Sequence, residues 1–252
     1  MKNRFNVLFL ILIISQYGYS QVYGEAPGPG VGAENNPYSN FQKKTPMMQE
    51  LFQKIRNGNS EIKYDVGSTI GSPFENEAYQ NGKVYYDGEF LGDYYFRFNA
   101  YNQEFELKKT LLPEEKMQAL IKDPKVTLTT NDASYTYNSM LTQNKKAEEG
   151  YLRLFYKGTN YSLYERYFVK FKEGKPAENS MVTAIPSKFS NYTEYYFSSV
   201  NNDIISEIPQ KQSRFIKTFS KKDIEKVKSY IDSNDIQLSN KETLISIYSL
   251  LE

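Results

Sequence analysis

The chain has 252 residues, with 31 Lys and Arg against 30 Asp and Glu, and it contains no His and no Cys. Near-neutral charge supplies neither the basic footprint that nucleic acid requires nor a broad pull toward anionic lipid. The missing residue types remove imidazole bases, Ser-His-Asp relays, thiol catalysis and zinc sites built on those ligands.

At the N-terminus, Lys2 and Arg4 precede an apolar run over 7–14, and Gly18 and Ser20 supply small residues ahead of Gln21. That pattern predicts a secretory signal peptide over 1–20. The apolar run is far shorter than the roughly 20 residues a spanning helix needs. No Cys follows to carry a lipid, so the expected product is exported (periplasmic or secreted), soluble and unlipidated, with no transmembrane span after cleavage. Residues 21–44, rich in Pro and Gly and without periodicity, read as a flexible leader. Thr45-Pro46 then offers a cap with Pro at the first helical position. Met47, Leu51 and Ile55 follow at helical spacing, predicting a short helix over 45–58 that covers one end of a sheet.

Over 62–219 the period switches to two. Asp87-Gly88, Asn102-Gln103, Asn131-Asp132, the stretch 157–160 and Asn201-Asn202 fall between alternating runs, as hairpin turns do, and Gly92-Asp93 marks another turn or a bulge. SRFIKTF (213–219) continues the alternation. Residues 111–122 interrupt it, where Pro113-Glu114-Glu115 opens a helical turn. From 220 the period returns to helical. Ser220 with Asp223 and Ser239 with Glu242 have capping-box spacing. Behind them Ile224, Val227 and Ile231, then Leu244, Ile247, Tyr248 and Leu251, form two apolar stripes. The expected fold is mainly β (α+β): a large antiparallel meander, curled or forming an open barrel, with a short N-terminal helix and a helical hairpin over 220–252 packed on the sheet. Lys and Glu interrupt both strand faces, which disfavours an outer-membrane barrel.

Two strands carry the candidate functional residues. In DYYFRFNAY (93–101), period two puts Tyr94, Phe96, Phe98 and Ala100 on a core face. Tyr95, Arg97, Asn99 and Tyr101 fall on the other, a candidate contact strip because Tyr and Arg are typical interface anchors. In YSLYERYFVKF (161–171), Glu165 falls among Tyr161, Leu163, Tyr167, Val169 and Phe171. A carboxylate on a core face needs a cation, a donor or a proton. It is therefore the candidate for a ligand contact or a general acid, or else a structural partner of Arg97 or Arg153. No phosphate loop, calcium loop or nucleophile elbow occurs, so neither cofactor nor metal is expected and no catalytic residue is assigned. The lysines between 211 and 228 are diluted by Asp223 and Glu225 and read as a solvated face. The absence of Trp weighs against sugar stacking.

Residues 71–109, GSPFENEAYQNGKVYYDGEFLGDYYFRFNAYNQEFELKK, resemble the opening of a family of exported proteins from Gram-negative bacteria. That family has a G-S-P-Y-L-N-like lead, a G-x-V-Y strand, a turn and an R-Y-N-I-Y-like strand, the last standing here as Arg97-Phe98-Asn99-Ala100-Tyr101. LYERYFVKFKEGKPA and the final helical pair are similar to later parts of it. The resemblance implies export, a β-rich body and a helical tail, and it names no substrate.

The reading that follows is an exported, non-enzymatic binding or envelope-interaction protein whose partner is a protein or envelope component, with no nucleic acid. Two alternatives stand beside it. One is a carrier of an apolar small molecule or lipid in the curl of the sheet. The other is a hydrolase using Glu165 with a second carboxylate across a cleft.

Overall fold

The computed structural model describes residues 69–179, 181–234 and 236–252. The signal peptide, leader and first helix expected over 1–58 lie outside these. Among the described residues there are ten strands: β1 (Gln80–Tyr86), β2 (Glu89–Asn99), β3 (Glu104–Lys108), β4 (Gln118–Ala119), β5 (Val126–Thr129), β6 (Ser134–Leu141), β7 (Ala147–Lys157), β8 (Tyr161–Lys172), β9 (Lys188–Ser199) and β10 (Asn202–Glu207). They form one sheet in the order β10-β9-β8-β7-β6-β5-β1-β2-β3-β4. It is two antiparallel meanders, β1 to β4 and β5 to β10, joined edge to edge where β5 pairs with β1. A single parallel bridge, Ser206 to Leu141, ties β10 back to β6.

The turns follow their residues. Asp87 and Gly88 both take positive φ, at 48° and 80°, which a two-residue hairpin with the right twist demands. Gly92 marks a bulge: Val84 pairs with Gly92 but Tyr85 with Phe90, so Leu91 is the extra residue.

Curling is achieved by a turn and a strap. The ladder between β7 and β8 runs from Lys157–Ser162 to Arg153–Glu165 and goes no further. Beyond it the β2–β3 turn takes over the hydrogen bonds of β8. Val169 N–H donates to the Ala100 carbonyl at 3.2 Å, and the Gln103 amide donates to the carbonyls of Tyr167 and Ala100 at 3.0 and 2.9 Å. Gly150 makes room, because a Cβ there would stand 2.9 Å from Gln103 Oε1. The strap is the segment 70–75. It pairs with the start of β9 (Phe189 N–H to the Ile70 carbonyl, 2.8 Å) and with the end of β2 (Glu75 N–H to the Phe98 carbonyl, 3.1 Å).

Inside the curl, Tyr94, Phe96, Phe98 and Ala100 are buried as the alternation predicts, together with Phe105, Leu107, Leu128, Tyr151 and Val169. Phe105 lies 4.7 Å from both Phe98 and Tyr151, centroid to centroid. Such ring pairs add about 0.5–1.5 kcal/mol each beyond area burial. The lumen is filled by side chains.

Three helices follow the sheet: α1 (Gln212–Phe215), continued by a 3₁₀ turn (Ile216–Thr218), then α2 (Lys221–Ser233) and α3 (Lys241–Ser249). The strand expected at 213–219 is therefore helical, and strands end at Glu207. Alternation and a helical stripe coincide there, because Phe215 and Phe219 also stand four apart. Both are buried, with rings perpendicular at 5.0 Å. They join Val227, Leu244, Ile247 and Tyr248 in a second core that covers Leu163 of β8 and Tyr195 of β9. The helical pair is as expected, with altered caps. Ser220 precedes α2, but its hydroxyl donates to Asp223 Oδ2 at 2.5 Å and no side chain caps the backbone. Asn240, not Ser239, caps α3, its Oδ1 accepting from Thr243 N–H. Residues 111–122 hold only a turn at Pro113-Glu114 ahead of β4.

Replacing Gln103 by Leu keeps the bulk of the wedge and removes its amide. Leaving the Tyr167 carbonyl unpaired is expected to cost about 1–3 kcal/mol in urea unfolding at unchanged m-value. An unaltered midpoint would contradict this closure.

Candidate functional site

Glu165 occupies the point where one face of β8 passes between the two cores. Leu163, two residues before it, belongs to the helical core, and Val169, four after it, to the lumen. Its side chain is almost fully buried and is held by two cations. The Arg153 guanidinium, its cross-strand neighbour, bonds Oε2 through Nη2 and through Nε at 2.5 Å. Lys241 Nζ, from the first turn of α3, stands 2.7 Å from the same oxygen. Arg153 reaches further through Nη1, 3.3 Å from both Glu75 Oε1 and the Tyr135 hydroxyl. Burial pulls the guanidinium down, and Tyr135, Glu165 and Glu75 outweigh it, so its pKa is raised and it stays charged. Of the two structural partners the sequence offers for Glu165, the fold brings Arg153. The space beside Glu165 amounts to about 10 Å³, no more than a single water needs, while a separate cleft of about 190 Å³ is lined by Glu75, Arg97, Tyr135 and Arg153.

The strip on β2 is drawn inward. Arg97 Nε bonds Glu106 Oε2 at 2.6 Å, and its guanidinium lies 3.9 Å from the Phe74 ring and 5.0 Å from the Tyr79 ring. Asn99 is buried, donating to Glu106 and accepting from Asn102 N–H. Tyr101 stands beyond the end of β2, where alternation no longer applies, and it packs on Phe171 and Phe189. Tyr95 is half-buried. The strap supplies Phe74, which alternation within β2 cannot reveal. Arg97, Asn99 and Tyr101 are thus occupied by internal partners.

A roomier surface lies elsewhere. Between the β9–β10 hairpin and the start of α2 is a groove of about 350 Å³. Tyr161 and Phe197 line it with rings, Ile204 and Leu251 with aliphatic surface, and the larger share is hydroxyls and amides from Asn160, Ser199, Asn201, Asn202, Ser206, Thr218 and Ser220. Lys222 and Asp223 stand at the helix end. Its frame is fixed: Glu252 accepts from Asn160 N–H at 2.9 Å, and Asn160 Nδ2 donates to the Leu251 carbonyl at 2.9 Å. In the sequence these residues belong to separate strands and turns and to the stretch 213–219, whose alternation points to a strand, so nothing local joins them. Among the described residues no cluster of acidic side chains is arranged to hold a metal ion, and no helix is long and apolar enough to cross a membrane.

A scan of protein-family models, a search of curated proteins and a search of solved structures each find no match to the chain.

Burial raises Glu75 above the usual 4.5, with Arg153 and Lys241 opposing and Glu165 adding to it. A carboxyl raised by folding binds its proton more tightly folded than unfolded. The stability it contributes is therefore present below about pH 4.5 and lost as pH rises through the folded value. Glu75→Gln, which does not titrate, is expected to gain on the wild type in urea unfolding between pH 4 and 7. A constant or shrinking difference over that range would contradict the shift.

Proposed function

We propose that the chain is an exported, non-enzymatic binding protein of the cell envelope, and that it engages its partner in the groove between the β9–β10 hairpin and α2. The observation carrying this reading is the contrast between a filled lumen and an open polar groove. The groove's volume falls in the range of about 300–1,000 Å³ typical of ligand sites. Hydroxyls and amides both donate and accept, so this lining suits a polar chain, such as an exposed segment of an envelope protein, better than an acyl tail. The signal-peptide pattern at 1–20 supports export.

The lumen gives an apolar carrier no comparable support, since aromatic and aliphatic side chains occupy it. Nor does Glu165 offer the geometry of an acid in a hydrolase, with two cations on one oxygen and space for at most one water beside it. Its arrangement is that of a structural charge.

Asn201 and Lys222 are both exposed on the groove, so replacing them disturbs no core. The double variant Asn201→Trp, Lys222→Glu is expected to keep the wild-type melting temperature and to lose capture of its partner from envelope extracts, with affinity lowered tenfold or more. Unchanged capture at unchanged stability would overturn the groove as the binding surface.

A further inference from the structure

The connection from β8 to β9 is built as a closed loop with an apolar tip. Lys175 and Ile185 exchange backbone hydrogen bonds of 2.8 Å in both directions, and Gly174 N–H donates to the Ser187 hydroxyl at 2.9 Å. A Cβ on Gly174 would lie 2.3 Å from the Ile185 carbonyl oxygen, so only glycine allows the neck to close. At the tip, Asn179 Oδ1 accepts from Met181 N–H at 2.9 Å, and its carbonyl accepts from Val182 N–H at 3.2 Å. This turn holds Met181 outward at 96% exposure and Val182 at 47%, with Ile185 at 57%. Ile70 of the strap, paired beside the loop's base, is 53% exposed. The turn spends its hydrogen bonds on presenting apolar side chains to water, which packing among the described residues does not explain.

The strands and neck that carry this tip are cationic, with Lys170 lying over the Phe168 and Tyr192 rings. Lys170, Lys172, Lys175 and Lys188 are all exposed, against Glu173 and Glu178, so residues 170–188 carry a local net charge of +2 in a chain whose total is +1. Lys172 and Lys188 are cross-strand neighbours, an arrangement that costs stability unless an anion is near. Long lysine side chains lay their stems along apolar surface and extend their heads to phosphate level. An apolar tip ahead of a cationic neck matches the interfacial layer of an anionic bilayer, acyl chains below and phosphates above.

We propose that the β8–β9 loop is a docking element for an anionic lipid surface, with Met181 and Val182 entering the acyl boundary and the four lysines meeting the headgroups. This goes beyond the groove, which is a separate surface. Docking would leave the protein held on a membrane while its partner binds elsewhere.

The absence of Cys makes the test site-specific. The full chain carrying Met181→Cys is labelled with an environment-sensitive fluorophore and mixed with vesicles of phosphatidylglycerol and phosphatidylcholine, or of phosphatidylcholine alone. Leu111→Cys, on an exposed loop after β3, is the control site. The expected result is a blue shift at 181, quenched by lipid-borne quenchers, with anionic vesicles and not at 111. Adding Lys172→Glu and Lys175→Glu should lower apparent affinity at least 25-fold, since each lysine near such a surface is worth roughly a factor of five. Binding through any other part of the chain leaves the probe at 181 in water. An unshifted probe at 181, equal response to neutral vesicles, or indifference to the charge reversals would overturn the proposal.

Discussion

The contact between Arg153 and Glu165 is the constraint on which the rest of the architecture depends. β8 has to serve two cores with one face, the helical layer at Leu163 and the lumen from Tyr167 onward. At the crossover neither layer covers it completely, and a polar residue there has to be neutralised in place. A single cross-strand guanidinium does so at the last rung of the β7–β8 ladder, where the two strands part. Lys241 adds the first turn of α3 and Glu75 adds the strap, so helices, sheet and closing segment meet at one cluster of charge. A buried pair of this kind is weak evidence for net stability against an apolar replacement, and strong evidence for the cost of removing one partner. Its role here is to make one register of β7 on β8 compatible with both cores.

From that point the separation of surfaces follows. Because the strands part after Arg153, the β2–β3 turn has a place to enter, and Gln103 closes the curl over a lumen packed with aromatic rings. A packed lumen leaves ligand-sized space on the outside of the sheet. The groove forms where the β9–β10 hairpin stands off the helices, and the loop with the cationic neck forms at the far end of β8 and β9. The two surfaces sit on opposite ends of the same pair of strands, twelve residues long each.

Much of this was legible in local pattern. Tyr94, Phe96 and Phe98 alternate into the lumen because a strand reports its own faces, and Leu244, Ile247 and Tyr248 form a helical stripe for the equivalent reason. Asp87-Gly88 named its hairpin through φ alone. What period cannot carry is which distant segment covers a face. Arg97 and Tyr95 looked like a contact strip because the strap bringing Phe74 over Arg97 lies more than twenty residues away. Phe215 and Phe219 fit both periods, and only the helical core at Val227 and Tyr248 decides between them. Glu165 was conspicuous as a charge on a core face, with Arg153 among its candidate partners. Lys241 was not foreseeable, since it comes from a helix start that follows Glu165 by more than seventy residues.

The most direct measurement is a double-mutant cycle on the crossover, comparing Arg153→Met, Glu165→Leu and the pair in urea unfolding at neutral pH. If the two side chains neutralise each other at the junction, each single change leaves the remaining charge with one fewer partner, Glu165 with Lys241 or Arg153 with Glu75, and costs up to about 3–5 kcal/mol. The double variant should then cost less than either single, leaving a coupling of at least about 2 kcal/mol. Costs that simply add, within about 0.5 kcal/mol, would show that the two act independently and that the crossover is held by something else.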